Sequence, residues 1–466
     1  MPAADDSTPV PLSDAGHGAT RSWREMRAFG SYVSQLENLL DGVLTTVRRT
    51  GHASQVAPAL NAALDGQPSR ILRKVVPSHE LRRAGAYFTG AKLARRLARL
   101  VGDSLDDNAI VLDPACGAGD LLIAVAGCLP LRPTLALTLR KWGRQLIGSD
   151  LYSEFIKATK LRLVLAALRR RVTPADWSWE ERAIDSFPLI KAGSGLTDLR
   201  AFASATHVVL NPPFLSVDAP AACAWGHGKV NAAALFVETC VNHARAGTRI
   251  LAILPDVLRS GARYQKWREI IGSRARFRRT VLCGQFQPWA DVHVFLAELE
   301  VTPKRKATVV PVSVLQAVQG NRTEQVRNRF VVTVGPVVDY RDPKRGMLTA
   351  YIRPRDLPPW GQVRRINSRR KYRGRLQNGP FVVVRRTSRP GDSHRAVGTL
   401  IVGQRPVAVE NHLLILIPKD GTISACRRLL SSLRDKRTST WLDRRIRCRH
   451  LTVASLATTP LWERSR

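Results

Sequence analysis

The sequence predicts an α/β protein in which a mostly parallel, doubly wound sheet precedes a second, basic α+β domain. Between residues 109 and 299, short apolar stretches alternate with segments of helical periodicity, a pattern typical of βαβ units. Beyond residue 301, arginine, proline and glycine interrupt the apolar stretches, and the charge rises. Ligands of parallel sheets bind where the strands end, so the residues that follow each strand are the candidates for a functional site.

The N-terminal part is predicted to be helical after a short disordered start. Residues 1–20 are rich in proline, serine, aspartate and glycine, which favours disorder. Apolar residues recur at helical spacing from Ser22 to Arg49, so residues 21–80 are expected to form a helical segment. A change of composition near Pro303 predicts two further domains, at 81–302 and 303–466.

The individual elements follow from the same patterns. Strands of the sheet are predicted at 109–113, 145–150, 183–187, 206–210, 248–254, 279–282 and 292–299. Helices are predicted at 120–129, 153–170, 231–244 and 263–271. The second domain contains apolar stretches at 381–384, 399–402 and 412–417.

The charge of the chain indicates a polyanionic partner. The 466 residues carry a formal net charge of +36, which favours nucleic acid first and an acidic membrane surface second. No apolar run approaches the ~18–20 residues of a membrane-spanning helix, and the acidic N-terminus is unlike a signal peptide. The seven cysteines lack zinc-ribbon spacing, so a reduced, cytoplasmic protein without metal is expected.

Most of the excess charge lies in the last third of the chain. Residues 301–466 contain 35 Lys and Arg against 10 Asp and Glu. Arginine matches phosphates and guanine edges with two parallel hydrogen bonds, although any single arginine pair is also typical of a solvated surface. The candidate nucleic-acid-binding residues are Arg364, Arg365, Arg369, Arg370, Arg385 and Arg386.

A glycine-containing turn follows the first strand. The sequence from Asp113 to Asp120 is DPACGAGD, with Gly117 and Gly119 one residue apart. Two glycines at a strand-to-helix turn allow positive φ and let a ligand lie against the backbone. The turn matches neither the dinucleotide-binding nor the P-loop pattern. By itself it is equally typical of a helix packed on a sheet.

Two carboxylates are placed at predicted strand positions. Asp150 ends the second strand, where a carboxylate can accept hydrogen bonds from both hydroxyls of a ribose. Asp185 lies on the third predicted strand and suits an exocyclic amino group of adenine. Each residue taken alone is also typical of a helix cap or a surface loop.

The fourth strand ends in Asn211-Pro212-Pro213-Phe214, the most informative motif of the chain. A residue before proline is held extended, and the prolines offer carbonyls without N–H groups. The Asn211 amide oxygen and the Pro212 carbonyl can then accept both hydrogens of a planar amine. Phe214 supplies a ring on which a base can stack. A Pro-Pro turn without chemistry remains the alternative for this motif alone.

Together these motifs resemble the S-adenosylmethionine-dependent amino-methyltransferases of nucleic acids, in particular the gamma class of DNA adenine methylases found in restriction-modification systems. The segment from Gly85 to Gly90 is similar to their opening motif, although Gly90 replaces the usual proline. The resemblance implies a seven-stranded sheet. It also implies catalytic residues Asn211, Pro212, Pro213 and Phe214, and cofactor-binding residues Tyr87, Thr89, Asp113, Ala115, Cys116, Gly117, Gly119, Asp150, Asp185 and Asn211.

The resemblance implies a site-specific adenine-N6 DNA methyltransferase that uses S-adenosylmethionine and flips the target base out of duplex DNA. The basic C-terminal domain would recognise the target. A separate restriction endonuclease or a specificity subunit is a further expected partner, because the chain shows no nuclease motif. The alternatives are methylation of RNA bases or of a protein glutamine, and a catalytically silent methylase-like DNA-binding subunit.

Overall fold

The computed structural model describes residues 22–50, 56–75, 88–170, 184–287, 290–303, 324–403 and 405–462. Residues 1–20 and Tyr87, for which disorder and cofactor binding were expected, lie outside these ranges. The described residues fall into two compact units. The first comprises those within Met1–Pro255 and Lys266–Val310, and the second comprises those within Asp256–Gln265 and Pro311–Arg466.

The first unit begins with helices that cover one side of its core. These are α1 (Ser22–Thr50), α2 (Ala57–Leu64), α3 (Gln67–Val75) and α4 (Ala91–Val101). The helical prediction for Ser22–Arg49 is confirmed, and its apolar stripe is buried, with Phe29, Tyr32, Leu36 and Leu40 in the core. Both α1 and α2 pack against the long helix that follows the second strand.

A seven-stranded sheet forms the centre of the first unit. Its strands are β1 (Val111–Asp113), β2 (Leu146–Asp150), β3 (Ile190–Ala192), β4 (His207–Leu210), β7 (Arg249–Pro255), β8 (Ala275–Gln287) and β9 (Ala290–Val301), while β5 (Ser216–Asp218) and β6 (Lys229–Asn231) form a separate antiparallel pair. The strand order is β3-β2-β1-β4-β7-β9-β8. The first five strands are parallel and β9 is antiparallel to both neighbours. The α/β fold with a mostly parallel sheet is therefore confirmed.

Helices connect the parallel strands. They are α5 (Asp120–Ala126), α6 (Leu135–Gln145), α7 (Ser153–Arg169), α8 (Leu199–Ser204), α9 (Ala232–His243), α10 (Asp256–Ser260) and α11 (Gln265–Arg274), of which α10 belongs to the second unit. Short 3-10 turns occur at Gly102–Ser104, Ala262–Tyr264 and Pro354–Asp356. Apolar side chains of α1, α5 and α7 and of the inner strands form one continuous core.

The third strand departs from the prediction. A strand was expected at 183–187, but β3 spans Ile190–Ala192 and residues 184–186 form a turn. Pro188 lies between the two positions and cannot donate a ladder hydrogen bond, so the strand begins after it. The last two strands of the sheet are longer than predicted, with 13 and 12 residues.

The second unit is an α+β structure. Its strands are β10 (Phe330–Val334), β11 (Met347–Ile352), β12 (Gln362–Val363), β13 (Arg369–Tyr372), β14 (Phe381–Arg385), β15 (Gly398–Ile401), β16 (Val407–Val409) and β17 (Leu413–Pro418). Its remaining helices are α12 (Val326–Arg329), α13 (Ile423–Arg434), α14 (Lys436–Arg445) and α15 (Val453–Ala457). A five-stranded sheet has the order β10-β17-β14-β15-β12, and a three-stranded sheet has the order β13-β11-β16.

Apolar residues cover both faces of the five-stranded sheet. Val382 and Val384 belong to a core that also contains residues of α13 and α14, while Phe381 and Val383 face a second cluster with Ile352. This alternation follows from the two-residue period of a strand. Buried on both faces, β14 is an unbroken apolar run in the sequence rather than an alternating one.

Candidate active site

The glycine-containing turn after β1 closes over the end of β2. The backbone N–H of Cys116 donates to the Ser149 carbonyl at 2.9 Å, and the Asp113 carboxylate accepts the Ala115 N–H at 3.1 Å. Gly117 and Gly119 have φ values of +53° and +83°. Both glycines therefore adopt the positive φ that the sequence allowed, and the turn is held by backbone and side-chain hydrogen bonds.

Neither glycine leaves room for a side chain. A Cβ atom at Gly117 would lie 2.9 Å from the ring of Phe88, and one at Gly119 would lie 2.7 Å from Cγ2 of Thr159. The Thr159 hydroxyl donates to the Gly117 carbonyl at 2.9 Å. The turn thus needs glycine for both its backbone conformation and its close packing.

Asp150 lies beside this turn. One oxygen of its carboxylate accepts the Gly117 N–H at 3.0 Å, and the other accepts the Tyr152 N–H at 3.2 Å. The residue ends β2, which pairs with β1 in parallel register, so Asp150 and the glycine-containing turn meet at one edge of the sheet. A carboxylate at this place can accept hydrogen bonds from a ligand that lies on the turn.

The pKa values of the two carboxyls at the site, Asp113 and Asp150, are both raised. Burial raises the pKa of Asp113 to about 8, against the lowering effect of the Ala115 N–H. Burial likewise raises the pKa of Asp150, against the N–H donors of Tyr152 and Gly117. The pKa of the Cys116 thiol is raised by burial as well, so this thiol is not ionised at neutral pH. A cation beside the two carboxyls would favour their ionised forms.

Asn211 follows β4 at the same edge of the sheet. Its amide nitrogen donates to the hydroxyl of Thr89 at 3.0 Å, and this bond joins two motifs that are 122 residues apart in the sequence. Thr89 is buried, so the hydrogen bond holds the amide group in one orientation. The Asn211 amide oxygen then lies on the opposite side of the group from Thr89.

The ring of Phe214 lies against a second aromatic ring. Phe214 and Phe286 of β8 meet edge to face, with 5.4 Å between ring centroids. The Phe214 carbonyl accepts a hydrogen bond from Asn231 at 3.4 Å, and Asn231 also caps α9. Pro212 is buried, whereas Phe214 keeps part of its surface exposed. Phe286 and Asn231 thus hold the segment after β4 in place, while Phe214 retains a surface that a planar ligand can contact.

A buried ion pair behind the turn was not predicted. Arg162 of α7 is fully buried and donates to Asp120 at 2.9 Å, to the Ala63 carbonyl at 3.0 Å and to the Ala118 carbonyl. The other Asp120 oxygen accepts the Gly90 N–H at 2.8 Å. The sequence signal was the single arginine within the apolar run LRLVLAAL, because an unpaired charge is not stable in such surroundings.

Asp185 does not lie at the carboxyl edge of the sheet. It is an exposed residue in the turn that precedes β3, not a residue that follows the strand. The carboxyl end of β3 instead leads into Gly193-Ser194-Gly195, and Gly195 lies so close to the Pro114 backbone that a Cβ there would overlap it. The prediction that Asp185 lies on the third strand is therefore wrong, and no carboxylate directly follows β3.

The candidate arginines of the second unit differ in their exposure to solvent. Arg364, Arg365 and Arg369 are exposed. Arg370 is only 6% exposed and forms an ion pair with Asp339 at 2.5 Å, so the prediction that it contacts nucleic acid is not supported. The other two are half-buried and donate to backbone carbonyls, Arg385 to Leu357 at 2.9 Å and Arg386 to Asn411 at 3.4 Å.

The described residues contain neither a metal-binding cluster nor a membrane-spanning helix. No cluster of three or more His, Cys, Asp or Glu side chains in this part of the chain could hold a metal ion. None of its helices combines the length and hydropathy of a membrane span.

Comparison with known proteins gave matches in structure only. No family model matches the chain, and no curated protein matches it in sequence. The type IIL restriction-modification enzyme MmeI, solved in complex with DNA, matches with a TM-score of 0.52 at 11% identity, over 84% of this chain and 70% of that one. The type IIG restriction endonuclease BpuSI matches with a TM-score of 0.43 at 13% identity, over 95% and 71%.

A chain of a type I restriction-modification system matches with a TM-score of 0.37 at 18% identity, and this chain spans about half (47%) of that protein's length. Such low identities establish fold and nothing more. The strand order and the match to MmeI lead to one conclusion: this chain shares the fold of that restriction-modification enzyme over the part that the comparison covers.

Proposed function

We propose that this chain is an S-adenosylmethionine-dependent methyltransferase that modifies the exocyclic amine of adenine in duplex DNA, as the modification enzyme of a restriction-modification or related defence system. The hydrogen bond between Asn211 and Thr89 carries the proposal. It orients an amide beside two prolines at the sheet edge that also holds the glycine-containing turn and Asp150.

The residues of this edge fit the cofactor. Gly117 and Gly119 give the turn its positive φ values, the Asp150 carboxylate can accept ribose hydroxyls, and Asp113 adds a second carboxyl near the turn. S-adenosylmethionine, when bound, supplies a methyl group already activated as a sulfonium. The protein therefore has to position the acceptor rather than activate the donor, and positioning alone is worth several kcal/mol.

The segment after β4 suits a planar amine. The Asn211 amide oxygen and the Pro212 carbonyl can accept its two N–H groups, and the prolines add no competing donors. Positive charge develops on the amine as it attacks, so acceptors aimed at its hydrogens stabilise the transition state more than the ground state. Phe214 offers its ring to the base, and Phe286 supports that ring from the side.

Duplex DNA is the polymer that the second unit favours. Its sequence carries most of the net positive charge of the chain, and the similar enzyme MmeI was solved with DNA bound. An adenine amine lies inside the stack of a duplex, so the base has to be flipped out before transfer. A protein side chain as acceptor would leave this charge without a purpose.

The proposal is tested by incubating the purified chain with S-adenosylmethionine and DNA that lacks adenine methylation, with structured RNA in parallel. Mass spectrometry of the digested nucleosides should show N6-methyladenine in the DNA. Methylation of the RNA alone would show that RNA, and not DNA, is the substrate. Absence of a methylated nucleoside from both polymers would contradict the proposed activity.

Two variants separate the two parts of the site. Asn211→Ala should lower methyl transfer by at least a hundredfold, because a transition-state hydrogen bond is lost, while cofactor affinity measured by calorimetry changes little. Asp150→Ala should weaken cofactor binding. Asn242→Ala, which alters an exposed asparagine of α9, is the matched control and should behave like the wild type. Wild-type transfer by Asn211→Ala would refute the catalytic assignment.

A further inference from the structure

One end of the three-stranded sheet in the second unit is exposed, basic and partly apolar. We define the sheet tip as residues 340–348, which precede and begin β11, together with residues 371–375, which end β13 and follow it. We propose that the sheet tip is a nucleic-acid contact surface, with basic side chains on phosphates and apolar side chains against bases. This inference deepens the proposed function by naming the surface that holds the polymer.

Three large apolar side chains of the sheet tip are exposed to solvent. Tyr340 is 90% exposed, Met347 82% and Leu348 58%. Among the other described residues, only Leu151 has a large apolar side chain that is more than half exposed. Exposed apolar side chains of this size at one end of a sheet are typical of a surface that a partner covers.

The charge of the sheet tip identifies the chemistry of that partner. The tip contains six basic residues and one acidic residue, Asp342. Arg341 lies 3.3 Å from this carboxylate. The other five, Lys344, Arg345, Lys371, Arg373 and Arg375, are exposed and have no carboxylate within 4 Å in the described part of the chain. A row of cations without counter-charges is suited to phosphates.

The sheet tip is preorganised by the buried residue beneath it. Arg370 forms an ion pair with Asp339, donates to the Asp342 carbonyl at 2.6 Å and lies over the ring of Tyr351 at 5.6 Å. The Asp342 carboxylate accepts the Val338 N–H at 2.7 Å, which closes the turn before the tip. Arg370 thus holds the loop that presents Tyr340 and the neighbouring cations.

Glycines allow the two strands to meet closely at the tip. Gly346 has φ of +100°, and a Cβ there would lie 2.7 Å from the Tyr372 carbonyl. A Cβ at Gly374 would overlap the Tyr372 ring. Leu348 is paired with Lys371 and therefore lies on the same face of the sheet as that cation, whereas Met347 is paired with Tyr372 and lies on the other face.

Nucleic acid explains both properties of the sheet tip at once. Proteins that deform a duplex insert Met, Leu or aromatic side chains between base steps while Lys and Arg hold the phosphates, and aromatic side chains stack on exposed bases. An uncharged protein partner would leave the cations unpaired. Vesicles of anionic phospholipid are the competing polyanion and therefore form one arm of the test.

The charge part of the proposal is tested with the full-length variant Lys344→Ala, Arg345→Ala, Lys371→Ala, Arg373→Ala. Its affinity for a random-sequence DNA duplex is measured by fluorescence anisotropy over a range of salt concentrations. Each phosphate contact contributes ~0.9 to the slope of log K against log salt. The four substitutions should therefore lower the slope by about 3 to 4 and weaken binding roughly ten- to hundredfold at moderate salt.

The matched control removes the same charge from the same unit. Arg427, Arg428, Arg434 and Lys436 are exposed residues on or next to α13, and their joint replacement by alanine should leave most of the slope intact. An equal loss of slope in both variants would show a general charge effect and would overturn the proposal. Unchanged duplex binding by the tip variant would also overturn it.

The apolar part is tested with Tyr340→Ser, Met347→Ser, Leu348→Ser. This variant keeps every cation, so it should retain the salt slope but lose about tenfold in affinity. Unchanged affinity refutes the base contact, and a wild-type chain that binds anionic vesicles but no duplex refutes nucleic acid as the partner. Methyl transfer is scored separately. Loss of binding in the tip variants with no transfer by the wild type would support the surface and contradict the proposed function.

Discussion

Replacement of Arg162 by methionine should destabilise the first unit more than any surface change on the same helix. The guanidinium is fully buried and satisfies one carboxylate and two backbone carbonyls, those of Asp120, Ala63 and Ala118. In Arg162→Met, the Asp120 carboxylate loses its charged partner and, among the described residues, keeps the Gly90 N–H as its one donor. Two carbonyls lose a donor at the same time.

The magnitude follows from these contacts. Breaking a buried ion pair by removing one partner costs about 3–5 kcal/mol, and each buried group left unsatisfied adds roughly 1–3 kcal/mol. These contributions overlap, so we expect a loss of about 5 kcal/mol in the free energy of unfolding. That is a large part of the ~5–15 kcal/mol available to a folded domain, and the variant could fail to accumulate in folded form.

A double variant tests whether the loss of stability comes from the unpaired Asp120 charge. Arg162→Met combined with Asp120→Asn removes both charges and retains an oxygen for the Gly90 N–H, so it should recover about 2 kcal/mol relative to the single variant. Lys157→Met removes an exposed charge from α7 and should change stability by less than about 0.5 kcal/mol.

The assay is urea unfolding followed by circular dichroism, with cofactor affinity measured by calorimetry on the folded variants. A stability of Arg162→Met within about 1 kcal/mol of Lys157→Met would refute the assigned cost of the buried pair. The cost is assigned to the Asp120 charge that is left without a partner. A double variant less stable than the single one would refute that assignment.

Three further predictions concern the turn and the catalytic segment. Asp113 has its pKa raised to about 8, so the folded state binds a proton that the unfolded state releases above pH ~4. Stability therefore falls as pH rises from about 4 to 8, by roughly 1.4 kcal/mol per unit at most, and urea midpoints of Asp113→Asn should lack this part of the decline. Gly119→Ala should cost about 2 kcal/mol or more, since positive φ is unfavourable for alanine and Thr159 occupies the space; a thermal midpoint equal to wild type would contradict this. Thr89→Val removes the acceptor of the Asn211 amide and should lower kcat of methyl transfer up to about tenfold with an unchanged cofactor Kd, whereas a weaker Kd with unchanged kcat would assign Thr89 to the cofactor.

Local patterns predicted most of the elements because each depends on near neighbours. The stretches at 109–113, 145–150 and 206–210 were recognisable as strands since they are short apolar runs with turn residues after them. The third strand was misplaced because residues 183–187 and 190–192 are both short and partly apolar. The deciding factor was which of them pairs with β2, a non-local contact.

The arginines of the second unit show the same limit. Arg369 and Arg370 are adjacent and identical in the sequence, yet one is exposed and the other is buried against Asp339. Successive residues of a strand face opposite sides of its sheet. A strand predicted at 369–372 would therefore have placed Arg369 and Arg370 on opposite faces. A count of positive charges could not do so, because it treats both residues alike.

The sequence by itself determined the alternation of strands and helices in the first unit, the glycine turn at 117–119 and the extended Asn-Pro-Pro segment. These features depend on local periodicity and on the φ restrictions of glycine and proline. Only the tertiary structure decided that Thr89 holds Asn211 and that Arg162 joins Asp120 to Ala63. It also placed Asp185 in the turn before β3 rather than on the strand. Such contacts join residues that are 122 and 99 positions apart, and no local pattern encodes which buried polar groups will be brought together to satisfy one another.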